Sequence, residues 1–146
     1  MNEADVRKAA EELVEGSLIA QVATLDTDGS PRVVSMIAAE KEGLRRIWFS
    51  TNTSSEHVAL LERDPRASVC FSQWASEPWR GLTLGGRMDV LRNHASRERL
   101  WEEGCERFYP KGVDDPDYTV LRFTAEWGKF YQYGTKMRFE ITEDET

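Results

Sequence analysis

The order of strand-like and helix-like segments most restricts the folds that this sequence can adopt. Two apolar, β-branched runs, residues 17–25 and 32–39, flank a turn over residues 26–30 that contains Asp28-Gly29. Asp-Gly between two strand patterns predicts a β-hairpin. A second turn at Lys41-Glu42-Gly43 and a strand over residues 45–50 would extend this hairpin into a three-stranded antiparallel meander.

The remaining segments place helices between groups of strands. Apolar spacing predicts an amphipathic helix over residues about 3 to 15, capped by Asn2, and a short helix after the polar stretch 51–55 that ends near Pro65. A third helix is expected over residues about 95 to 107. Further strands are expected over residues 67–74, 82–91, 118–124, 129–133 and 137–141. Strands grouped in this way predict an α+β fold with a closed or half-closed antiparallel barrel and disfavour a doubly wound sheet.

The length and composition are those of one folded domain. The chain has 146 residues, of which 40% are hydrophobic and 31% charged, which excludes a disordered chain. We expect a single domain over residues 1–146, with the first helix within residues 1–16 and a frayed tail over residues 143–146.

The charge balance excludes several partners. The net charge is −7 and Lys and Arg form no cluster, so a nucleic-acid partner is not expected. No apolar run is long enough for a membrane helix, and the N-terminus does not resemble a signal peptide, so we expect a cytoplasmic protein without a membrane partner. Cys70 and Cys105 are expected to be reduced, buried thiols, and no metal-ligand spacing is present.

A candidate anion site follows the strand over residues 45–50. Ser50, Thr51 and Ser55 lie in a hydroxyl-rich turn before a helix, where free N–H groups and the helix dipole favour an anion such as phosphate. The alternative is that Thr53 or Ser54 simply caps the helix. Arg32 on the second strand is a candidate cation for this anion, or else a solvated strand residue.

His57 is a third candidate participant, either as a hydrogen-bonding imidazole in the site or as a solvent-facing helix residue. Motifs for nucleophilic catalysis, a glycine-rich phosphate loop and a dinucleotide fingerprint are missing from the sequence. Gly85-Gly86 inside a strand pattern predicts a bulge or a close backbone approach. Any reaction is therefore expected to depend on a cofactor, and no catalytic side chain is assigned.

Five motifs in order make the sequence similar to a known family. They are Asp28-Gly29-Ser30-Pro31-Arg32-Val33-Val34-Ser35, Trp48-Phe49-Ser50-Thr51-Asn52-Thr53-Ser54-Ser55, Asp64-Pro65-Arg66-Ala67-Ser68-Val69-Cys70-Phe71, Leu82-Thr83-Leu84-Gly85-Gly86-Arg87-Met88, and Asp115-Pro116-Asp117-Tyr118 with Phe130-Tyr131. Across nearly its whole length the chain resembles the pyridoxamine 5'-phosphate oxidase-like FMN-binding split-barrel superfamily, in the branch related to general stress protein 26.

The resemblance implies a split barrel that forms a homodimer with FMN at the subunit interface. It implies that Arg32, Val33, Val34 and Ser35 line the flavin ring and reach the phosphate, that Ser50, Thr51 and Ser55 hold the phosphate and ribityl chain, and that His57 contributes to the phosphate site. Tyr131 would stack on the flavin across the dimer, and Arg138 would supply the family's C-terminal arginine.

The sequence also departs from the oxidase pattern. Glu56 and His57 stand where the family has a basic pair, Ile37 stands for a lysine, and Gly81 stands for a glutamine. The substrate motif of the oxidase is not matched at residues 138–140, so oxidation of pyridoxamine phosphate is not expected.

Three hypotheses remain at this point. The first is a flavin-dependent oxidoreductase that binds FMN and acts on a small molecule. The second is a non-catalytic carrier or sensor of a flavin, a deazaflavin or another planar ligand. The third is a degenerate split barrel that serves as a dimeric interaction module.

Overall fold

The structure is a computed structural model that describes residues 1–75 and 77–143. Most of the expected tail, residues 144–146, lies outside the described residues. In chain order the described part forms α1 (Glu3–Glu15), β1 (Ile19–Leu25), β2 (Pro31–Ile37), β3 (Glu40–Glu42), β4 (Arg46–Asn52), α2 (Glu56–Arg63), β5 (Arg66–Gln73), β6 (Arg80–Leu91), α3 (His94–Leu100), a 3-10 turn (Cys105–Arg107), β7 (Tyr118–Gln132) and β8 (Thr135–Glu140).

One antiparallel sheet contains all of these strands. Its order is β2-β1-β5-β6-β7-β4-β3, and β8 pairs with β7 beside this path. The fold class is α+β and the sheet curls into a split barrel, as predicted. Within the described residues, no helix is long and apolar enough to cross a membrane.

The expected three-stranded meander is wrong. Lys41 and Glu42, expected in a turn with Gly43, belong to the short strand β3, and β4 pairs with β3 and β7 instead of β2. The chain changes partners between two consecutive amides. The N–H of Ala38 donates to the carbonyl of Leu18 beside β1, whereas the N–H of Ala39 donates to the carbonyl of Trp48 in β4, each at 2.9 Å. The tight turn is one step later, at Gly43 with a φ of 54°.

The two strands expected over residues 118–124 and 129–133 are one continuous strand, β7. The register with β6 pairs Gly85 with Trp127 and Gly86 with Ala125, which leaves Glu126 as an extra residue on β7. This irregularity is a β-bulge, and it keeps the strand continuous through Trp127-Gly128. The bulge or close approach predicted from Gly85-Gly86 is confirmed.

The third helix ends at Leu100 and does not reach residue 107. Trp101 leaves the helical conformation, and its ring meets the ring of Tyr118 edge-on at 5.2 Å. This contact joins a second apolar cluster formed with Trp48, Leu100 and Tyr109. Packing of Trp101 therefore ends the helix before its sequence pattern does, and Gly104, with a φ of 99°, redirects the chain.

The main core fills the inside of the curled sheet under α1. Val6, Ala10 and Val14 repeat at helical spacing and are buried completely against the sheet. The predicted cap at Asn2 is confirmed, because its side chain accepts from the N–H of Asp5 while its own N–H donates to the Asp5 carboxylate. α1 closes one side of the barrel and leaves the region between β2, β4 and α2 open.

Candidate functional site

A groove of about 880 Å³ lies between β2, the end of β4, the start of α2 and the segment around residues 102–109. One wall is formed by residues 34–39, and the opposite wall includes the 3-10 turn. The volume is within the range of small-molecule binding sites. Several of the predicted site residues line this groove.

The polar end of the groove combines Ser50, Thr51, Asn52 and His57. Alternation along β4 buries Thr51 and exposes Ser50 and Asn52. The Thr51 hydroxyl hydrogen-bonds with Nε2 of His57 at 2.8 Å. Burial lowers the pKa of His57, so its imidazole is neutral at pH 7.

The pKa of His57 predicts a loss of stability in mild acid. In the unfolded chain its pKa returns to about 6.5, so the unfolded state takes up the proton first as the pH falls. The free energy of unfolding should therefore decrease as the pH falls through about 6.5. Well above that pH the imidazole is neutral in both states, so His57 should not make the stability depend on pH there. In urea unfolding between about pH 8 and pH 5, we expect His57→Gln to lose less stability than the wild type.

His94 offers a control of opposite sign. Hydrogen bonding to Asp114 and the charge of Glu98 raise the pKa of His94, so its stabilisation is present in acid and is lost as the pH rises. His94→Gln should therefore lose more stability toward pH 5 than the wild type. An identical pH profile for His57→Gln and the wild type would contradict the role of His57 burial.

The turn before α2 is held by the segment 116–119. The Asn52 amide donates to Oδ2 of Asp117 at 2.7 Å, and the N–H of Ser54 donates to Oδ1 at 2.9 Å. These bonds, that of Asn52 first, lower the pKa of Asp117. The Thr53 hydroxyl donates to the carbonyl of Pro116 at 2.8 Å. The carboxylate of Asp117 thus ties this turn to the start of β7.

The capping alternative for Thr53 or Ser54 is wrong. The N-cap of α2 is Ser55, and its side chain makes no capping hydrogen bond. Thr53 and Ser54 are instead engaged with residues 116–119. The hydroxyl of Ser55 therefore stays available at the start of the helix.

Arg32 lies beside the start of α2, paired with two carboxylates. Its Nε donates to Oδ2 of Asp26 at 2.8 Å, and its Nη2 donates to Oε1 of Glu56 at 2.6 Å. The bond from Arg32 is the largest cause that lowers the pKa of Asp26. Arg32 is thus an exposed strand residue whose charge is already balanced by two carboxylates.

The structure divides the predicted cofactor-binding residues into three groups. Val34, Ser35, Ser50, Thr51 and His57 line the groove, while Arg32 and Ser55 lie at the start of α2. Val33, Tyr131 and Arg138 do not line it. Val33 is 67% exposed on the outer side of β2, and the Arg138 guanidinium lies 4.4 Å over the Trp127 ring on another part of the sheet.

Tyr131 covers Gly81 on the neighbouring strand. A Cβ at position 81 would lie 2.1 Å from the Tyr131 ring, so only glycine leaves room for the ring in this position. Tyr131 also packs near Trp74, with the ring centroids 6.2 Å apart. Glycine at position 81, where the oxidase pattern has a glutamine, therefore leaves room for the ring of Tyr131.

The wall formed by residues 102–109 was not predicted from the sequence. Cys105, Arg107 and Phe108 line the groove there, and Phe108 is 72% exposed. Cys105 and Arg107 fall where a helix was expected, and Gly104 was the signal of a break before them. Cys70 and Cys105 are free thiols, half-buried instead of fully buried as expected. Among the described residues, no group of His, Cys, Asp and Glu could hold a metal ion.

Comparison with known proteins relates the chain to a family and to several solved structures. The model of the pyridoxamine 5'-phosphate oxidase family matches residues 6–132. A crystal structure from Clostridium acetobutylicum, of a protein related to general stress protein 26 of B. subtilis, is 38% identical, with 96% of this chain and 97% of that chain covered and a TM-score of 0.83. No curated protein matches the chain.

Two more distant structures share the fold. General stress protein 26 from Bacillus anthracis is 13% identical, with 91% of this chain and 98% of that chain covered and a TM-score of 0.72. A heme binding protein from Mycobacterium smegmatis is 20% identical, with 96% of this chain and 59% of that chain covered and a TM-score of 0.74.

Proposed function

Because the chain belongs to the pyridoxamine 5'-phosphate oxidase family, we propose that it binds a flavin in the groove between β2, β4 and α2 and acts as a flavin-dependent oxidoreductase on a small molecule. FMN is the flavin that the resemblance suggests. The observation that carries the proposal is the groove itself, in which an open strand edge faces the hydroxyls at the end of β4.

The groove fits the ring of a flavin. β2 ends the strand order of the sheet, so its second edge has no strand partner in the described part of the chain. Backbone N–H and C=O groups along such an edge can hydrogen-bond the polar rim of a planar ring. Val34, Met36 and Ala38 give the same wall apolar contacts.

The polar end fits a ribityl chain. Ser50 is exposed there, and Thr51 and His57 form a neutral hydrogen-bonded pair. Hydroxyls and a neutral imidazole both donate and accept hydrogen bonds, as a polyol requires. When bound, the flavin would supply hydride or electron transfer, and these side chains would orient it.

The proposal includes a second copy of the chain. Ile19 and Ile37 are direct cross-strand partners, and they lie with Val33 on a side of β1 and β2 where all three are exposed. A second copy packed on this apolar face would shield it from water. Tyr131 and Arg138, which lie away from the groove of their own chain, would then be available to the groove of the partner.

The test is direct binding of FMN and of riboflavin by purified protein in equilibrium dialysis. We expect at least one of them to be retained at tens of micromolar, with a shift of the visible flavin spectrum. Retention of neither would contradict the function. Stopped-flow mixing with NADH or NADPH then tests turnover, because a bound flavin that stays oxidised would support the carrier or sensor instead of the oxidoreductase.

A further inference from the structure

We infer that the groove selects a flavin without a terminal phosphate, because Arg32, the cation beside the α2 end of the groove, is already paired with the carboxylate of Glu56. This inference rests on the proposed flavin binding and specifies the class of ligand. It follows from how Arg32 and Glu56 are paired.

Glu56 binds Arg32 in the way that a phosphate would. Nη2 of Arg32 donates to Oε1 of Glu56 at 2.6 Å and Nη1 donates to Oε2 at 3.4 Å. Two parallel bonds from a guanidinium are the arrangement by which arginine holds carboxylates and phosphates alike. Asp26 accepts from the third nitrogen at 2.8 Å, so every nitrogen of Arg32 has a partner.

The pair lies beside the α2 end of the groove, next to residues that line it. Arg32 is two residues before Val34 on β2, on the same side of the strand, and Glu56 directly precedes His57. Both Val34 and His57 line the groove. Glu56 is also the first residue of α2, where the helix dipole favours an anion. Glu56 thus places a carboxylate of the chain itself at the start of α2 and next to the guanidinium of Arg32.

The surrounding charges oppose a second anion. Asp26 and Glu56 both pair with Arg32, so two carboxylates already surround this one guanidinium. The imidazole of His57 is neutral. A phosphate dianion would have to displace Glu56 from Arg32 and would leave that carboxylate unpaired beside it.

A ribityl hydroxyl is uncharged, so its binding does not require Glu56 to separate from Arg32. Ser50 and Ser55 make no side-chain hydrogen bond within the described residues, and the Thr51–His57 pair is uncharged. These groups satisfy a neutral polyol without breaking an ion pair. The donor set therefore suits riboflavin or another uncharged flavin better than FMN.

The test compares the dissociation constants of FMN and riboflavin for three proteins: the wild type, Glu56→Gln and Glu62→Gln. Glu62 is the matched control because it lies on the same helix and pairs with Arg92 instead of Arg32. We expect the wild type to bind riboflavin at least as tightly as FMN. Glu56→Gln should bind FMN about tenfold more tightly, with riboflavin changed less than about twofold. Glu62→Gln should behave as the wild type.

Tighter binding of FMN than of riboflavin by the wild type, or an unchanged preference in Glu56→Gln, would overturn the inference while leaving flavin binding intact. A titration with inorganic phosphate decides the point even if neither flavin binds. In ¹⁵N-labelled protein, the Arg32 Nε–H resonance should stay in place for the wild type and move for Glu56→Gln. Movement in the wild type would overturn the inference, whereas failure of both flavins would overturn the proposed function.

Discussion

Replacing Gly86 by alanine is expected to lower the free energy of unfolding by about 3–5 kcal/mol. A Cβ at this position would lie 2.0 Å from the backbone carbonyl oxygen of Thr124. A flexible side chain could rotate away, but this neighbour is main chain within β7. Relief would require β6 and β7 to separate at the bulge, where Gly86 pairs with Ala125.

The position of Gly86 in the sheet magnifies this effect. Gly86 also pairs with Ala67 on β5, so a shift of β6 away from β7 disturbs the opposite neighbour as well. Because β6 and β7 lie in the middle of the strand order, their separation would disrupt the core beneath them. We expect the loss to appear as a lower urea midpoint with little change in the slope of the transition.

Gly134→Ala is the matched control for this prediction. A Cβ at Gly134 would have no atom within 4 Å, and the backbone there is not in the left-handed region. The substitution should change the free energy of unfolding by less than about 1 kcal/mol. Equal stability of Gly86→Ala and the wild type would show that the two strands tolerate a wider bulge than the structure has.

Ala39→Trp is expected to weaken flavin binding by at least about 100-fold, which corresponds to about 2.7 kcal/mol. Ala39 is exposed on the wall of the groove, directly after the apolar residues proposed to contact the ring. An indole at this position would occupy space that a flavin needs. Because Ala39 is exposed and its backbone N–H bond to Trp48 is kept, the fold should tolerate the change.

Ala59→Trp provides the comparison. Ala59 is exposed on α2 and does not line the groove, so the same substitution there should leave flavin affinity within about twofold of the wild type. Equilibrium dialysis of both variants, with melting temperatures as a check of folding, measures the difference. Normal flavin retention by Ala39→Trp would locate the flavin outside this groove.

Features set by neighbouring residues could be predicted from the sequence. The cap at Asn2, the hairpin at Asp28-Gly29 and the bulge at Gly85-Gly86 each depend on a few consecutive residues with distinctive backbone preferences. β3 has no such signal, because its residues Glu40-Lys41-Glu42 show no apolar alternation and pair through backbone bonds with β4. The pairing of β4 with β7 depends on residues distant in sequence, so local patterns could not predict it.

The candidate site also combines features that local sequence patterns predict with features that depend on residues distant in sequence. Ser50, Thr51 and His57 share one strand, turn and helix, so their proximity follows from a local pattern. The wall around Arg107 is brought there by packing of Trp101 against Tyr118, which periodicity does not encode. Arg32 was predicted as a cation for the site before α2, but its pairing with Glu56 joins two distant elements, so local patterns could not predict it.

Ala38 and Ala39 are consecutive in the chain but hydrogen-bond to different parts of the sheet, so two adjacent peptide units connect the region of β1 with β4. Their N–H groups donate to the carbonyl of Leu18, beside β1, and to the carbonyl of Trp48, in β4. A movement that widens the opening must stretch at least one of these bonds, and both residues line the groove. A ligand that bridges the walls would oppose that opening, so slower amide hydrogen exchange at both positions would report occupancy without any optical signal from the ligand.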